Sequence, residues 1–266
     1  MPVLRKNHDP IGHAVWDYLN GIRGETIVIN TDIAEDEQLL PSYFFRTFDQ
    51  MPIQEQEALR RCSGKILDVG AGAGVHSLWL QDHGYEVDAL EISPLSCETM
   101  RKRGIKNILL QDINLVTDRH YDTILLLMNG AGIAQTLPGL ERLLLHLKTL
   151  LNPGGKILAD SSDLLYLFTD ENGEAWVDIA SDTYYGEMEY QLTYKSIKGK
   201  PFSWLFVDPD TFCDYAGFCG FTVKDKFSGA HFDYLVELLL KSEAVHPTKG
   251  NLIETNSSEL SARQIL

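Results

Sequence analysis

Cysteine is scarce: four residues in 266 (Cys62, Cys97, Cys213 and Cys219), with no Cys-x-x-Cys pair, argue against a disulfide scaffold and a structural zinc site. No stretch approaches the roughly 18 apolar residues of a membrane span, and residues 1–10 lack the apolar centre of a secretory leader. Basic residues are also few. With 23 Lys and Arg against 38 Asp and Glu, the net charge is −15, a field that repels phosphate backbones and anionic membranes. No internal repeat is present. What remains is an ordinary globular composition, 44% hydrophobic and 23% charged, in a chain long enough for one large domain with attachments. A cytoplasmic protein with reduced thiols is expected.

From residue 64 to 161, short apolar runs alternate with helical patterns, the signature of βαβ units feeding a parallel sheet. Strands are expected at Lys65–Val69, Tyr85–Ile92, Asn107–Gln111, Tyr121–Met128 and Lys156–Asp160, several apolar throughout, as strands buried on both faces are. Ser93, Pro94 and Gly104 predict a helix capped at both ends. Leu140, Leu143, Leu144, Leu147, Leu150 and Leu151 form one helical stripe, closed by the turn 152–155. Residues 1–61 read as a helical cap, with helical patterns near Ala14–Leu19 and Gln54–Arg61. A period of two over 184–207 predicts a β-hairpin inserted within 163–207. Final strands are expected at Phe221–Phe227 and Tyr234–Leu240, and 242–266 reads as a mobile tail.

The sharpest signal is Ile66-Leu67-Asp68-Val69-Gly70-Ala71-Gly72-Ala73-Gly74, a buried strand turning through alternate glycines into a helix. Glycine permits positive φ and a close approach of ligand to backbone, while the helix start presents unpaired N–H groups to an anionic group. The dinucleotide fingerprint needs a glycine at its sixth position, where Val75 stands. Glu91 lies 21 residues after Gly70, at the end of the next strand, where a carboxylate can accept from both ribose hydroxyls. Asp112 follows after another 21 and ends the third strand.

Together these segments, with Val87–Ile92, Leu110–Ile113, Tyr121–Met128 and Leu150–Leu158, resemble the class I S-adenosylmethionine-dependent methyltransferases over about residues 62–162 and, more loosely, 208–241. The resemblance implies an α/β, Rossmann-like, doubly wound seven-stranded sheet, mostly parallel with the last strand antiparallel, formed by 62–162 plus 208–241. It further implies that Gly70, Gly72 and Gly74 frame the methionine part of the cofactor and that Glu91 holds the ribose. Ile92 and Ile113 would sandwich the adenine, Asp112 would accept from its amine, and Met128 and Asn129 would face the methionine moiety and the methyl group. Asp68 would either support the loop or meet the cofactor's amino group through water, and His76 reads as structural.

The implied function is methyl transfer from S-adenosylmethionine, leaving S-adenosylhomocysteine, to a small-molecule acceptor by in-line displacement. Positioning then supplies most of the catalysis, and no catalytic base is assigned. The Asn/Asp-Pro-Pro-aromatic turn of methyltransferases acting on adenine bases or glutamine amides is replaced by Met128-Asn129-Gly130-Ala131, which with the acidic charge disfavours a nucleic-acid substrate. Substrate contacts are expected from Tyr43, Arg46, Asp163 and Tyr185. Capping of a following helix competes for Asp163, and stapling of the cap competes for Tyr43. No metal is expected, and the oligomeric state stays open. An NAD(P)-dependent oxidoreductase and a non-catalytic S-adenosylmethionine-binding protein are the alternatives.

Overall fold

A computed structural model describes residues 1–32, 36–170 and 183–241. In chain order the elements are α1 (Pro10–Leu19), β1 (Ile27–Thr31), β2 (Glu37–Leu39), α2 (Ile53–Arg61), β3 (Lys65–Val69), α3 (Val75–Asp82), β4 (Glu86–Glu91), α4 (Pro94–Arg103) and β5 (Asn107–Leu110). There follow β6 (Tyr121–Leu126), α5 (Leu137–Thr149), β7 (Leu151–Ser162), β8 (Glu187–Tyr194), β9 (Ile197–Lys198), β10 (Phe202–Leu205), α6 (Pro209–Phe218), β11 (Phe221–Ser228) and β12 (Asp233–Leu240).

Seven strands form the main sheet in the order β11-β12-β7-β6-β3-β4-β5. The pairs from β7 through β5 are parallel, and β12 runs antiparallel to both of its neighbours. The strand order reverses between β3 and β6, so their carboxyl ends open the crevice where such sheets bind ligands. Local chemistry fixes the flanking helices. Ser93 Oγ accepts from Ser96 N, Pro94 occupies the first turn of α4, and Gly104 ends it at φ 91°. Leu140, Leu143, Leu144 and Leu147 of α5 pack on Ile124, Leu126 and Ile157 of the sheet. Burial of each such side chain contributes about 1.5–3 kcal/mol.

Two expectations are corrected. The segment 1–61 is not purely helical: β1 and β2 pair with each other, and β1 pairs antiparallel with β8. With β10 and β9 on the other edge of β8, they form a second sheet in the order β10-β8-β1-β2. Its inner face places Ile27, Leu192 and Tyr194 against Ala14, Val15, Phe44 and Met128, and this burial explains the pairing. The fifth strand of the main sheet is also longer than expected, because Leu151 already pairs with Tyr121 before the ladder resumes at Thr123 and Lys156. The expected tail at 242–266 and part of the expected insertion, 171–182, lie outside the described residues.

Candidate functional site

At the end of β3 the chain turns through Gly70, Gly72 and Gly74, all at positive φ (74°, 57° and 79°), before α3 begins. The amides of Gly70 and Ala71 donate to Leu90 O, at 2.9 and 3.0 Å, which pins the loop to the neighbouring strand. The three glycines differ in purpose. A Cβ on Gly70 would meet Ile133 at 3.5 Å, and one on Gly72 would meet Phe44 at 3.7 Å and Gly70 O at 4.0 Å, all ordinary contacts, whereas one on Gly74 would collide with Ile105 and crowd Met100. Gly74 therefore serves close packing under α4, and Gly70 and Gly72 leave the open cradle. Asp68 is buried at the strand end and accepts from Ser77 Oγ at 2.6 Å, so it braces the first turn of α3.

Glu91 ends β4 with its carboxylate turned toward this loop. Oε2 accepts from Gly72 N at 2.7 Å, and Oε1 accepts from Ile92 N and Ser93 N at 2.7 and 2.9 Å. Burial raises its pKa, against the lowering pull of those three amides. Asp112 caps the turn after β5 by accepting from Asn114 N at 3.0 Å, and its other oxygen lies 3.0 Å from the amino group of Met1. Ile92 is half-buried and Ile113 is buried in the main core. Asp9, buried, accepts from Ser93 Oγ at 2.6 Å and from Gly12 N at 2.9 Å, tying α1 to the β4 tip.

Beyond β6, Met128 and Asn129 both take left-handed backbone, at φ 63° and 56°. Asp160, buried near the end of β7, explains how: its carboxylate accepts from Met128 N at 3.0 Å and from Gly130 N at 3.3 Å. Burial, assisted by the charge of Glu55, pushes its pKa up to about 7. Ser162 Oγ lies 3.0 Å from Asn129 Oδ1 and 2.6 Å from Asp233 Oδ1.

Of the residues expected to contact substrate, Arg46 is buried in an ion pair with Glu55, donates to Tyr43 O at 2.7 Å, and lays its guanidinium 4.1 Å from the Tyr43 ring centre. Glu55 also meets His76 Nε2 at 2.6 Å. Asp163 caps the helical turn 164–168 through Leu165 N, and Tyr185 donates its hydroxyl to the same carboxylate at 2.7 Å. The two are therefore bonded to one another. Asp160 and Glu55 were missed by sequence reasoning. For Asp160 the signal was available, since it ends the expected strand Lys156–Asp160 as an acidic residue after an apolar run. Among the described residues no three His, Cys, Asp or Glu side chains gather as a metal set, and no helix is long and apolar enough to cross a membrane.

The site thus offers glycine backbone at β3, a buried carboxylate at β4 and a second carboxylate just beyond β5, a donor and acceptor set that fits an amino-acid-bearing nucleoside. A family model described as a methyltransferase domain matches residues 66–155. The crystal structure of an S-adenosylmethionine-dependent methyltransferase from Bacteroides fragilis, in complex with S-adenosylhomocysteine, is 39% identical, covers 90% of this chain and 97% of its own, and superposes with a TM-score of 0.83. A methyltransferase from Clostridium acetobutylicum shares the fold at 14% identity, with a TM-score of 0.54 over 76% of this chain and 91% of its own. Ribosomal RNA small subunit methyltransferase C of Alcanivorax borkumensis is 28% identical over 127 residues, 45% of this chain but only 39% of that protein's length. The chain belongs to the S-adenosylmethionine-dependent methyltransferases and uses S-adenosylmethionine as its methyl donor.

Proposed function

We propose that the protein methylates a small-molecule acceptor that approaches the ends of β6 and β7 beneath the second sheet. One observation carries this reading: the second sheet lies over the β6 exit. The Trp204 indole presses on Gly132, so closely that a Cβ there would overlap the ring, and Met128 packs with Leu192 and Tyr194. A roofed site suits a compact acceptor better than a polynucleotide.

The cofactor-holding roles are those that the family resemblance implies, and the placement of Glu91 and Asp112 at neighbouring strand ends supports them. Gly70 and Gly72 receive the methionine part, and Gly74 secures the loop from below. Glu91 holds the ribose hydroxyls, Ile92 and Ile113 flank the adenine, Asp112 accepts from its amine, and Met128 and Asn129 face the methyl end. The bound cofactor supplies a methyl already activated on sulfur. What the chain's own residues contribute is orientation of the acceptor and exclusion of water, worth up to about 7–11 kcal/mol in favourable geometry. In this reading 62–162 with 208–241 form the cofactor unit, and 1–61 with 163–207 form the acceptor side of a cytoplasmic enzyme.

Ribosomal RNA is the second reading, favoured by the partial match to an rRNA methyltransferase. The net charge of −15 opposes it, because binding RNA would bring like charges together. The two readings separate when the protein is incubated with methyl-labelled S-adenosylmethionine and either a small-metabolite fraction or ribosomal subunits. Label in one small product supports the proposal, and label confined to RNA overturns it.

A further inference from the structure

Charge and ring chemistry at the acceptor end are one-sided. Two carboxylates flank Asn129: Asp160, bonded to the amides on either side of it, and Asp233, reached through the Ser162 hydroxyl. The Tyr43 hydroxyl sits in the field of Glu55, Asp160 and Asp233, and Tyr190 sits in that of Glu37 and Asp32. The cation beside them, Arg46, is already committed to Glu55 and to Tyr43 O. The rings are arranged for contact rather than for the core. Tyr43 is 37% exposed, and Tyr166 and Phe232, 45% and 60% exposed, stack with centroids 4.8 Å apart and planes within 11°. Asp163 N donates to Phe232 O at 3.1 Å, which places this pair next to the Ser162 and Asp233 junction. Tyr190 stacks on Phe202 from the second sheet.

Resting on the methyl-acceptor reading of this end of the sheet, we propose that the acceptor is a small organic amine, bound as its ammonium ion by the Asp233 carboxylate and the faces of Tyr43, Tyr166 and Phe232. Before transfer the ammonium gives one proton to solvent, and the freed nitrogen lone pair forms the new C–N bond as the methyl–sulfur bond breaks and S-adenosylhomocysteine leaves. An ammonium is attracted both to carboxylates and to ring faces. An acceptor carrying a carboxylate or phosphate would meet repulsion there, with the neighbouring guanidinium already paired.

The test titrates 2-phenylethylamine, 2-phenylethanol and phenylacetate calorimetrically into the full chain at neutral pH, with and without saturating S-adenosylhomocysteine. The expected result is amine affinity about tenfold above that of the alcohol, with phenylacetate weakest. Asp233→Asn and, independently, the surface change Tyr166→Ala should each lower amine affinity roughly fivefold while S-adenosylhomocysteine binding holds. Equal affinity for alcohol and amine, preference for phenylacetate, or no amine binding by a chain that binds S-adenosylhomocysteine overturns the proposal. Amine binding without S-adenosylhomocysteine binding supports it and instead contradicts the cofactor roles assigned above.

Discussion

His76 Nε2 lies 2.6 Å from Glu55 Oε2, with both side chains buried, so α2 is joined to the first turn of α3 directly behind the glycine loop. Arg46 takes the same carboxylate and brings the segment carrying Tyr43 and Phe44 into the junction. Three chain segments meet on one anion. Removing one partner of such a buried pair typically costs about 3–5 kcal/mol, because the remaining charge stays desolvated.

The pair dictates a pH signature. Burial acts to lower the His76 pKa, but the hydrogen bond and charge of Glu55, with the charge of Asp68, raise it above 6.5. Its contribution is complete below pH 6.5 and is lost as pH climbs through the raised folded value. Burial acts to raise Glu55, but His76 and Arg46 hold it below 4.5, so its share is present above pH 4.5 and lost as pH falls through the depressed value. His76→Gln should therefore lower the melting temperature at pH 6 by about 6–12 °C, for a loss of about 3 kcal/mol, and by clearly less at pH 8.5. A deficit independent of pH in thermal melts would mean that the pair is not ionic.

The glycines separate by substitution. Gly74→Ala forces a Cβ onto Ile105 at φ 79° and should destabilise by about 2–4 kcal/mol in urea titrations. Gly72→Ala, at φ 57° with Phe44 at 3.7 Å, should cost only about 1 kcal/mol of stability but weaken S-adenosylhomocysteine binding. Matching stability losses would contradict the assignment of Gly74 to packing and Gly72 to the cradle.

Much of the main sheet was legible because its grammar is local: Gly70, Glu91 and Asp112 recur every 21 residues, one βαβ unit apart. The second sheet was not, since Ile27–Thr31 finds its partner at Tyr190–Tyr194, more than 150 residues away, and five residues carry too little periodicity to declare a strand. The Arg46, Glu55 and His76 junction was equally hidden, as each residue alone reads as an ordinary polar side chain on its own segment. Asp163 and Tyr185 show a further limit of residue types: they suit a binding wall, and nothing in their own segments tells that they also bond each other and that Asp163 caps a helical turn.

Glu91 accepts three backbone N–H groups with its two oxygens. Glu91→Gln replaces one oxygen with a donor, so at least one amide faces another N–H, a loss of about 1.5–3 kcal/mol for bonds to a charged acceptor. S-adenosylhomocysteine affinity measured by calorimetry should fall about tenfold or more. Unchanged affinity would reduce Glu91 to a brace for the glycine loop.

Asp160 is the buried carboxylate whose ionisation the fold resists. Its ordinary pKa of 3.8 is pushed up to about 7 by burial and by Glu55, against the pull of the Met128 and Gly130 amides. Between these values the folded chain holds a proton that the unfolded chain releases, so each step up in pH favours unfolding until the folded group has also ionised. Wild-type stability should accordingly fall from pH 5 to pH 8, with an Asp160 share on the order of a few kcal/mol. Asp160→Asn carries no titrating proton, and its amide oxygen can still accept from Met128 N while the longer bond to Gly130 is given up. The variant should start less stable at pH 5 and lose less on the way to pH 8, leaving the His76 share of the slope in place. Parallel urea-unfolding curves across that range would show that Asp160 ionises freely, and the left-handed Met128 and Asn129 pair would then have to be held by the backbone alone.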